Sequence, residues 1–303
     1  MDPALAFLIF ALGLAFGSFL NVCIYRLPRE ISVVQPSSAC PSCKQPIAAY
    51  DNIPVLSWLI LRGRCRHCHA RISPRYLVVE ILTGVMFLAC YAQFGYTLAL
   101  LKYCALGFLL LGLIFTDAET QLLPDKMTLP GIVLGLLFSA FVPVDDLVSH
   151  LLPVAAWMGH TSRWLSMADS FIGAAVGASF IYGVGAIYLR ARGVEGMGFG
   201  DVKLMALIGA FLGIKLTIFT IFAGSIVGSL AGIGMVLSVW FKRTRRRMAR
   251  NHEAASVARR RAWSSAVIML RGFPIPFGVF LGSMGIVAFF FGNQFLRWYW
   301  RLL

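Results

Sequence analysis

Charge is scarce in this sequence, and acid is the scarcest part of it. Only 13% of the 303 residues are Asp, Glu, Lys or Arg, about half the share usual in soluble proteins. Thirteen acidic residues stand against twenty-seven basic ones. Histidine is rarer still, with five in all. None sits in an apolar run beside a plausible partner, which excludes a Ser–His or Cys–His nucleophile set. No internal repeat and no low-complexity tract is visible. The first apolar run, 4–25, has no basic stretch before it and no small-x-small site after it, so it reads as a retained span and not a cleaved signal peptide. The glycines around 198 follow no strand and alternate, which excludes a dinucleotide-binding loop.

What remains is apolar. Hydrophobic residues make up 59% of the chain, mean hydropathy is +0.78, and the apolar residues fall in long blocks. A soluble domain of this size has no need of repeated runs near twenty residues, which is the length that spans a bilayer. The pattern predicts an all-α polytopic membrane protein with about eight membrane helices, roughly 4–25, 76–95, 97–116, 127–144, 169–190, 203–214, 216–241 and 274–296. The sixth reaches only ~18 Å at 1.5 Å per residue against a hydrocarbon core of ~30 Å. It is therefore expected to be surrounded by protein or lengthened by its neighbours. Glycines within the spans are expected to serve close helix packing.

The net charge of +14 reports orientation before it reports a partner. Most basic residues sit in two stretches, Arg26 to Arg75 and Lys242 to Arg271, beside hydrophobic runs. Such loops stay in the cytoplasm and meet anionic membrane lipids, so no nucleic-acid partner is implied. This orientation sends Asp117, Glu119, Asp125, Arg192 and Asp201 to the cytoplasmic face of the membrane. The loop 145–168, with Asp145, Asp146 and Arg163, falls outside. Three regions follow: a first transmembrane helix (1–25), a cytoplasmic cysteine-rich insertion (26–75), and a membrane domain (76–303). The last carries a basic cytoplasmic loop at 242–272, expected to form a helix lying on the headgroups.

Within the insertion, Cys40-Pro-Ser-Cys43 and Cys65-Arg-His-Cys68 supply four thiolates at the spacing of a tetrahedral zinc site. The insertion is too small to build a core of its own, so a structural metal suits it. Two disulfides are the competing reading, disfavoured by a reducing compartment. His67 and His69 read as surface residues, and Cys23, Cys90 and Cys104 as small apolar fillers.

Two acids adjoin long apolar runs, where a carboxylate costs ~2.5–3.5 kcal/mol at a helix centre and tends to mark function. Asp117 ends the run 105–116. Asp201 opens the sixth segment within Gly196-Met-Gly-Phe-Gly-Asp201, where Gly198 and Gly200 let the backbone bend and pack closely. Taken singly, Asp117 marks a membrane boundary and Asp201 caps a helix. As a pair at one depth, they could share one proton, one carboxyl activating water while the other polarises a carbonyl. Glu80, Glu119, Asp125 and Glu195 read as caps or salt-bridge partners at the interface, with Asp125 capping the fourth span. A further use for these acids is to receive a basic substrate segment.

The residues resemble the prepilin peptidases, or type IV leader peptidases. The likeness runs from Gly17-Ser-Phe-Leu-Asn-Val-Cys-Ile-Tyr-Arg-Leu-Pro28 through the two CxxC pairs, with Asp51-Asn-Ile-Pro-Val-Leu-Ser-Trp58 between them. It continues through Thr116-Asp-Ala-Glu-Thr-Gln-Leu-Leu-Pro-Asp125 and Gly198-Phe-Gly-Asp-Val-Lys-Leu204 to Pro274-Ile-Pro-Phe-Gly278. The resemblance implies a GxGD-type aspartic protease with Asp117 and Asp201 as the catalytic pair. Its substrates would be prepilins or pseudopilins with basic leaders. It also implies N-methylation of the new N-terminus with S-adenosylmethionine, because the cysteine-rich insertion is retained. Val279 departs from the proline that often follows Pro-Ile-Pro-Phe-Gly, and no soluble-type methyltransferase fold is recognisable. Two other classes compete: a non-enzymatic zinc-stabilised membrane adaptor or sensor, and a transporter using the acids as ion sites.

Overall fold

A computed structural model describes residues 2–144, 163–194, 197–251, 255–271 and 276–301. Glu195, Gly196, most of the expected outer loop, and Pro274 and Ile275 lie outside the described residues. The fold among them is all-α. The helices are α1 (Pro3–Arg26), α2 (Leu56–Ile60), α3 (Arg75–Phe94), α4 (Leu98–Thr120), α5 (Asp125–Ser139) and α6 (Arg163–Arg192). Then follow α7 (Phe199–Asn251), α8 (Ala255–Arg271), α9 (Phe277–Val287) and α10 (Asn293–Trp300), the last two joined by a π turn at Ala288–Gly292.

Six of the described helices are long and apolar enough to cross a membrane, fewer than the eight expected. Two differences account for the shortfall. The fourth expected span becomes α5, only 15 residues long and carrying Pro130 inside it. The sixth and seventh merge into α7, a single run of 53 residues broken in conformation at Gly213. There the backbone takes φ 76° and ψ 177°, a region only glycine adopts without strain. Asp169 of α6 meets the break, its Oδ2 accepting the Ile214 amide at 3.2 Å. A carboxylate from a neighbouring helix thus caps the second half of α7.

The short sixth segment is encased by protein. Leu204, Leu207, Ile208 and Phe211 are fully buried, so the first half of α7 is the central rod of the bundle and needs no lipid-facing surface. Gly173 of α6 and Gly209 of α7 bring these helices into backbone contact; a Cβ on Gly209 would lie 2.3 Å from the Gly173 carbonyl oxygen. On the opposite flank Gly13 and Gly17 seat α1 against Gly84 and Glu80 of α3. Small residues thus replace the hydrophobic drive that is missing between helices in lipid. Large side chains such as Phe7, Phe171, Ile187 and Leu230 turn outward, as a lipid-facing belt requires.

The described residues of the basic stretch, 242–251 and 255–271, are helical. The first part continues α7 and the second part is α8, folded back upon it. Trp240 Nε1 donates to the Arg259 carbonyl at 3.0 Å, and Arg243 donates to the Ser265 carbonyl at 2.8 Å. Trp240 and Trp263 meet edge to face at 6.0 Å. α8 is thus half of a helix pair, with Val257 and Trp263 still exposed on it.

Candidate active site

One end of the bundle gathers the polar chemistry. Asn21 near the end of α1 donates to the Tyr76 carbonyl at the start of α3, at 3.0 Å. Arg75 of α3 pairs with Glu119 in the last turn of α4. Asp125, the first residue of α5, pairs with Lys203 of α7 at 2.5 Å. Asp125 therefore does not cap α5, since Pro124 holds the cap position and no side chain bonds there. Its carboxylate ties two helix starts together.

Asp117 lies in the final turn of α4, which closes on Gln121 in the left-handed conformation with its amide bonded to the Asp117 carbonyl. Asp201 lies in the first turn of α7, its amide bonded to the Gly198 carbonyl at 3.1 Å. Both side chains are buried. They converge on the first turn of α9. A Cβ placed on Gly278 would stand 2.8 Å from Asp117 Oδ2 and 3.2 Å from Asp201 Oδ1. Both oxygens thus lie within 3.2 Å of one point. The Val279 amide donates to Asp117 Oδ2 at 3.0 Å, fixing that carboxylate; the departure from proline at 279 supplies this donor, since proline carries no N–H.

The two glycines before Asp201 do different work. A Cβ on Gly200 would meet Leu123 Cβ at 2.9 Å, whereas one on Gly198 would find only the Gly200 nitrogen, at 3.9 Å. Gly200 lets the start of α7 close on the α4–α5 link, and the Asp125–Lys203 pair clamps the same joint. Gly198 contributes its carbonyl.

In the insertion, Cys40, Cys43, Cys65 and Cys68 place their four sulfurs within 4.8 Å of one another. Thiolates 2.3 Å from a tetrahedral zinc would stand ~3.8 Å apart, and Cys40 and Cys68 Sγ are 3.8 Å apart. The donor set therefore fits zinc. The Cys43 amide beside Cys40 brings that thiol down to about 6. Against the Ala70 amide, desolvation and the three neighbouring cysteines push Cys68 up to about 11, so one thiol of the four ionises ahead of the others. His67 and His69 are exposed and outside the cluster. The knuckles also repeat each other, although no repeat was visible in the residues. In each, the amide after the second cysteine bonds the first cysteine's carbonyl, and that residue, Lys44 or His69, has positive φ.

The Asp51 to Trp58 stretch frames this cluster. Asp51 accepts three bonds from Arg66, and that guanidinium holds its carboxyl below the usual range. Ser57 Oγ accepts the Ile53 amide and donates to the Tyr50 carbonyl. The Trp58 ring packs onto Gly63.

Four residues take roles that the sequence does not disclose. Gly278 carries no functional group, so nothing in the residues singles it out beyond its motif. Glu80, expected at the interface, is buried at 8% exposure and accepts the Val55 amide at 2.7 Å. Lys102 is wholly buried, its Nζ reaching the Val142 carbonyl at 3.4 Å. Asp169, wholly buried, serves the α7 break. A lone charge in an apolar run is visible in sequence; its partner across the bundle is not.

The model of the bacterial peptidase A24 N-terminal domain matches residues 11–94, and that of the type IV leader peptidase family matches residues 103–233. The chain belongs to the type IV leader peptidase family. It is 39% identical over 251 residues to the prepilin leader peptidase/N-methyltransferase of Neisseria gonorrhoeae, covering 74% of this chain and 80% of that one. It is 34% identical over 316 residues to the protein of the same name from Aeromonas hydrophila, covering 96% and 92%. No solved structure matches it.

Proposed function

We propose that the chain is an intramembrane aspartic endopeptidase that removes the leader from prepilins or pseudopilins and then N-methylates the new N-terminus. One observation carries the peptidase half: carboxyl oxygens of Asp117 and Asp201, from helices far apart in sequence, lie within 3.2 Å of a single point at Gly278. Two carboxyls gathered at one point, at most ~6 Å apart by these distances, are placed to share one proton as a substrate draws them together. The ionised one takes a proton from water as the water oxygen attacks the scissile carbonyl. The protonated one gives its proton to the carbonyl oxygen. The tetrahedral carbon then collapses, the C–N bond breaks, and the leaving amine takes up a proton. Burial of both side chains favours this chemistry by keeping bulk water out.

Methylation is supported by the names of relatives that match nearly the whole chain. S-adenosylmethionine would be the methyl donor. Zinc on Cys40, Cys43, Cys65 and Cys68 would be structural, because four thiolates leave no open position for water. The basic residues on the insertion and around the dyad favour the cytoplasmic face of the inner membrane. In this reading the chain divides into a first transmembrane helix (1–25), a cysteine-rich insertion (26–75) and a membrane peptidase domain (76–303).

Two substitutions test the dyad. Asp117→Asn and Asp201→Asn should each cut leader removal at least about a thousandfold while the protein still accumulates in the membrane. Normal processing by either variant would sink it. Mass analysis of the processed substrate should show one added methyl group; its absence would leave a peptidase alone.

A further inference from the structure

A cavity of about 690 Å³ lies between the cysteine insertion and the ends of α1, α3 and α4. That is the size of a site for a small organic ligand. Cations such as Arg26, Arg29 and Arg71 line its wall, which disfavours the basic leader as occupant. Of the three acids lining it, Asp51 is paired with Arg66 and Glu119 with Arg75. Glu80 is buried without a cation among the described residues; it accepts the Val55 amide and meets the Ser18 hydroxyl in the same wall. A buried carboxylate lacking a cation is costly and needs an explanation.

Three further polar atoms in this wall are buried with no partner among the described residues: Asn21 Oδ1, Trp58 Nε1 and Arg75 Nε. Native proteins rarely leave such groups orphaned. Here an acceptor, two donors and a carboxylate line one cavity, alongside the aromatic rings of Tyr25 and Trp58.

We propose that this cavity binds the methyl donor, S-adenosylmethionine, with Glu80 taking its cationic part. The inference rests on the N-methyltransferase reading above and assigns it a site. The donor carries a sulfonium and an α-ammonium for Glu80, a carboxylate for the arginine wall, and a purine for the rings and orphaned donors. Glu119, part of the same wall, lies two residues beyond Asp117 on α4, ~3 Å of helix rise. The two side chains point to nearly opposite faces of α4, so the freshly cut N-terminus has to pass round the end of this helix to reach the cavity. Its ammonium gives one proton to solvent, and the amine lone pair forms the N–CH3 bond. The S–CH3 electron pair stays on sulfur, leaving a neutral thioether and a secondary ammonium.

Glu80→Gln keeps an oxygen for the Val55 amide and removes only the charge. Trp58→Phe removes only the orphaned donor and part of the ring. S-adenosylmethionine binding to the full-length zinc-loaded protein in micelles, read by calorimetry, should weaken at least tenfold in Glu80→Gln and several-fold in Trp58→Phe. Both variants are to be compared at matched zinc content and melting temperature. Ultraviolet cross-linking of radiolabelled donor to the unaltered protein should label peptides within 18–80, a result independent of any variant's folding. Label confined to other helices, or unchanged binding by both variants, would overturn the site while leaving methylation intact. If the unaltered protein neither binds the donor nor yields methylated product, the methyltransferase reading itself falls, and the site with it.

Discussion

The membrane bundle and the cysteine insertion hold their shape by opposite means. In the bundle, helices approach until backbones touch, as at Gly173 and Gly209, and long helices carry each functional side chain. The insertion has one five-residue α-helix, two short 3-10 turns and isolated bridges at Ala39–Pro46 and Arg64–Arg71. Five of the six non-glycine residues with positive φ lie in or beside it, at Glu30, Lys44, Val55, Arg62 and His69. Packing positions the dyad. Four cysteine sulfurs within 4.8 Å of one another are placed to staple a strained loop, and the cavity lies where the two regions meet.

The largest effect should come where the bundle has no room to yield. Gly278→Ala would set a methyl group 2.8 Å from Asp117 Oδ2 and 3.2 Å from Asp201 Oδ1. One of the carboxyls must then move, and a misplacement near 1 Å can cost ~100-fold in rate. Leader cleavage should fall by about that factor or more in a protein of near-normal melting temperature. Full activity would mean that the two acids do not meet at this glycine.

Stripping the metal should break the other half of the comparison. A chelator, or Cys40→Ser with Cys65→Ser, should raise the rate of proteolysis within 30–72 about tenfold or more, since a structural zinc supplies folding energy outright. Fragments from α4 and α7 should stay protected, because neither helix contributes to the staple. Equal loss of protection in both regions would show that bundle and insertion fold as one unit.

This contrast also governs what the residues disclosed. The staple was legible because its chemistry is its spacing: two CxxC pairs define four ligands before any fold is known. Asp117 and Asp201 stood out as lone acids against apolar runs. Glu80 did not, because it lies near the start of α3, where an acid is ordinary, and its burial depends on the insertion folding over it. Asp169 opened an expected span, yet its role exists only because α7 breaks at Gly213 beside it. The break itself was nearly placed, as a division between segments ending at 214 and starting at 216. The extension of α7 and its pairing with α8 were hidden by charge, since arginines along a helix read like arginines in a loop.

A smaller effect should separate the two glycines before Asp201. Gly200→Ala pushes on Leu123, where a Cβ would stand 2.9 Å away. The overlap should cost ~1–3 kcal/mol and slow cleavage by loosening the joint that carries Asp201. Gly198→Ala opens onto space, and stability should stay within ~0.5 kcal/mol. Thermal unfolding and cleavage rates of the pair read the difference directly. Equal sensitivity would mean that both glycines serve the backbone's shape and not the approach to Leu123.

The smallest change asked for here is a gain. Val55 sits at φ 62° and ψ −53°, close to the strained γ-turn conformation and poor for a β-branched residue. Its amide donates to Glu80, so the turn is held from the bundle side. Val55→Gly keeps that amide and removes the clash. Relief of ~1–3 kcal/mol of strain, against ~0.5–1 kcal/mol for the freer unfolded chain, leaves a net gain of ~1 kcal/mol. The insertion should then resist proteolysis at temperatures where the unaltered one is cut, with zinc bound in both. If resistance falls instead, the valine side chain contributes more by packing than its backbone loses by strain. The insertion would then be held partly as the bundle is, by contact between side chains as well as by its metal.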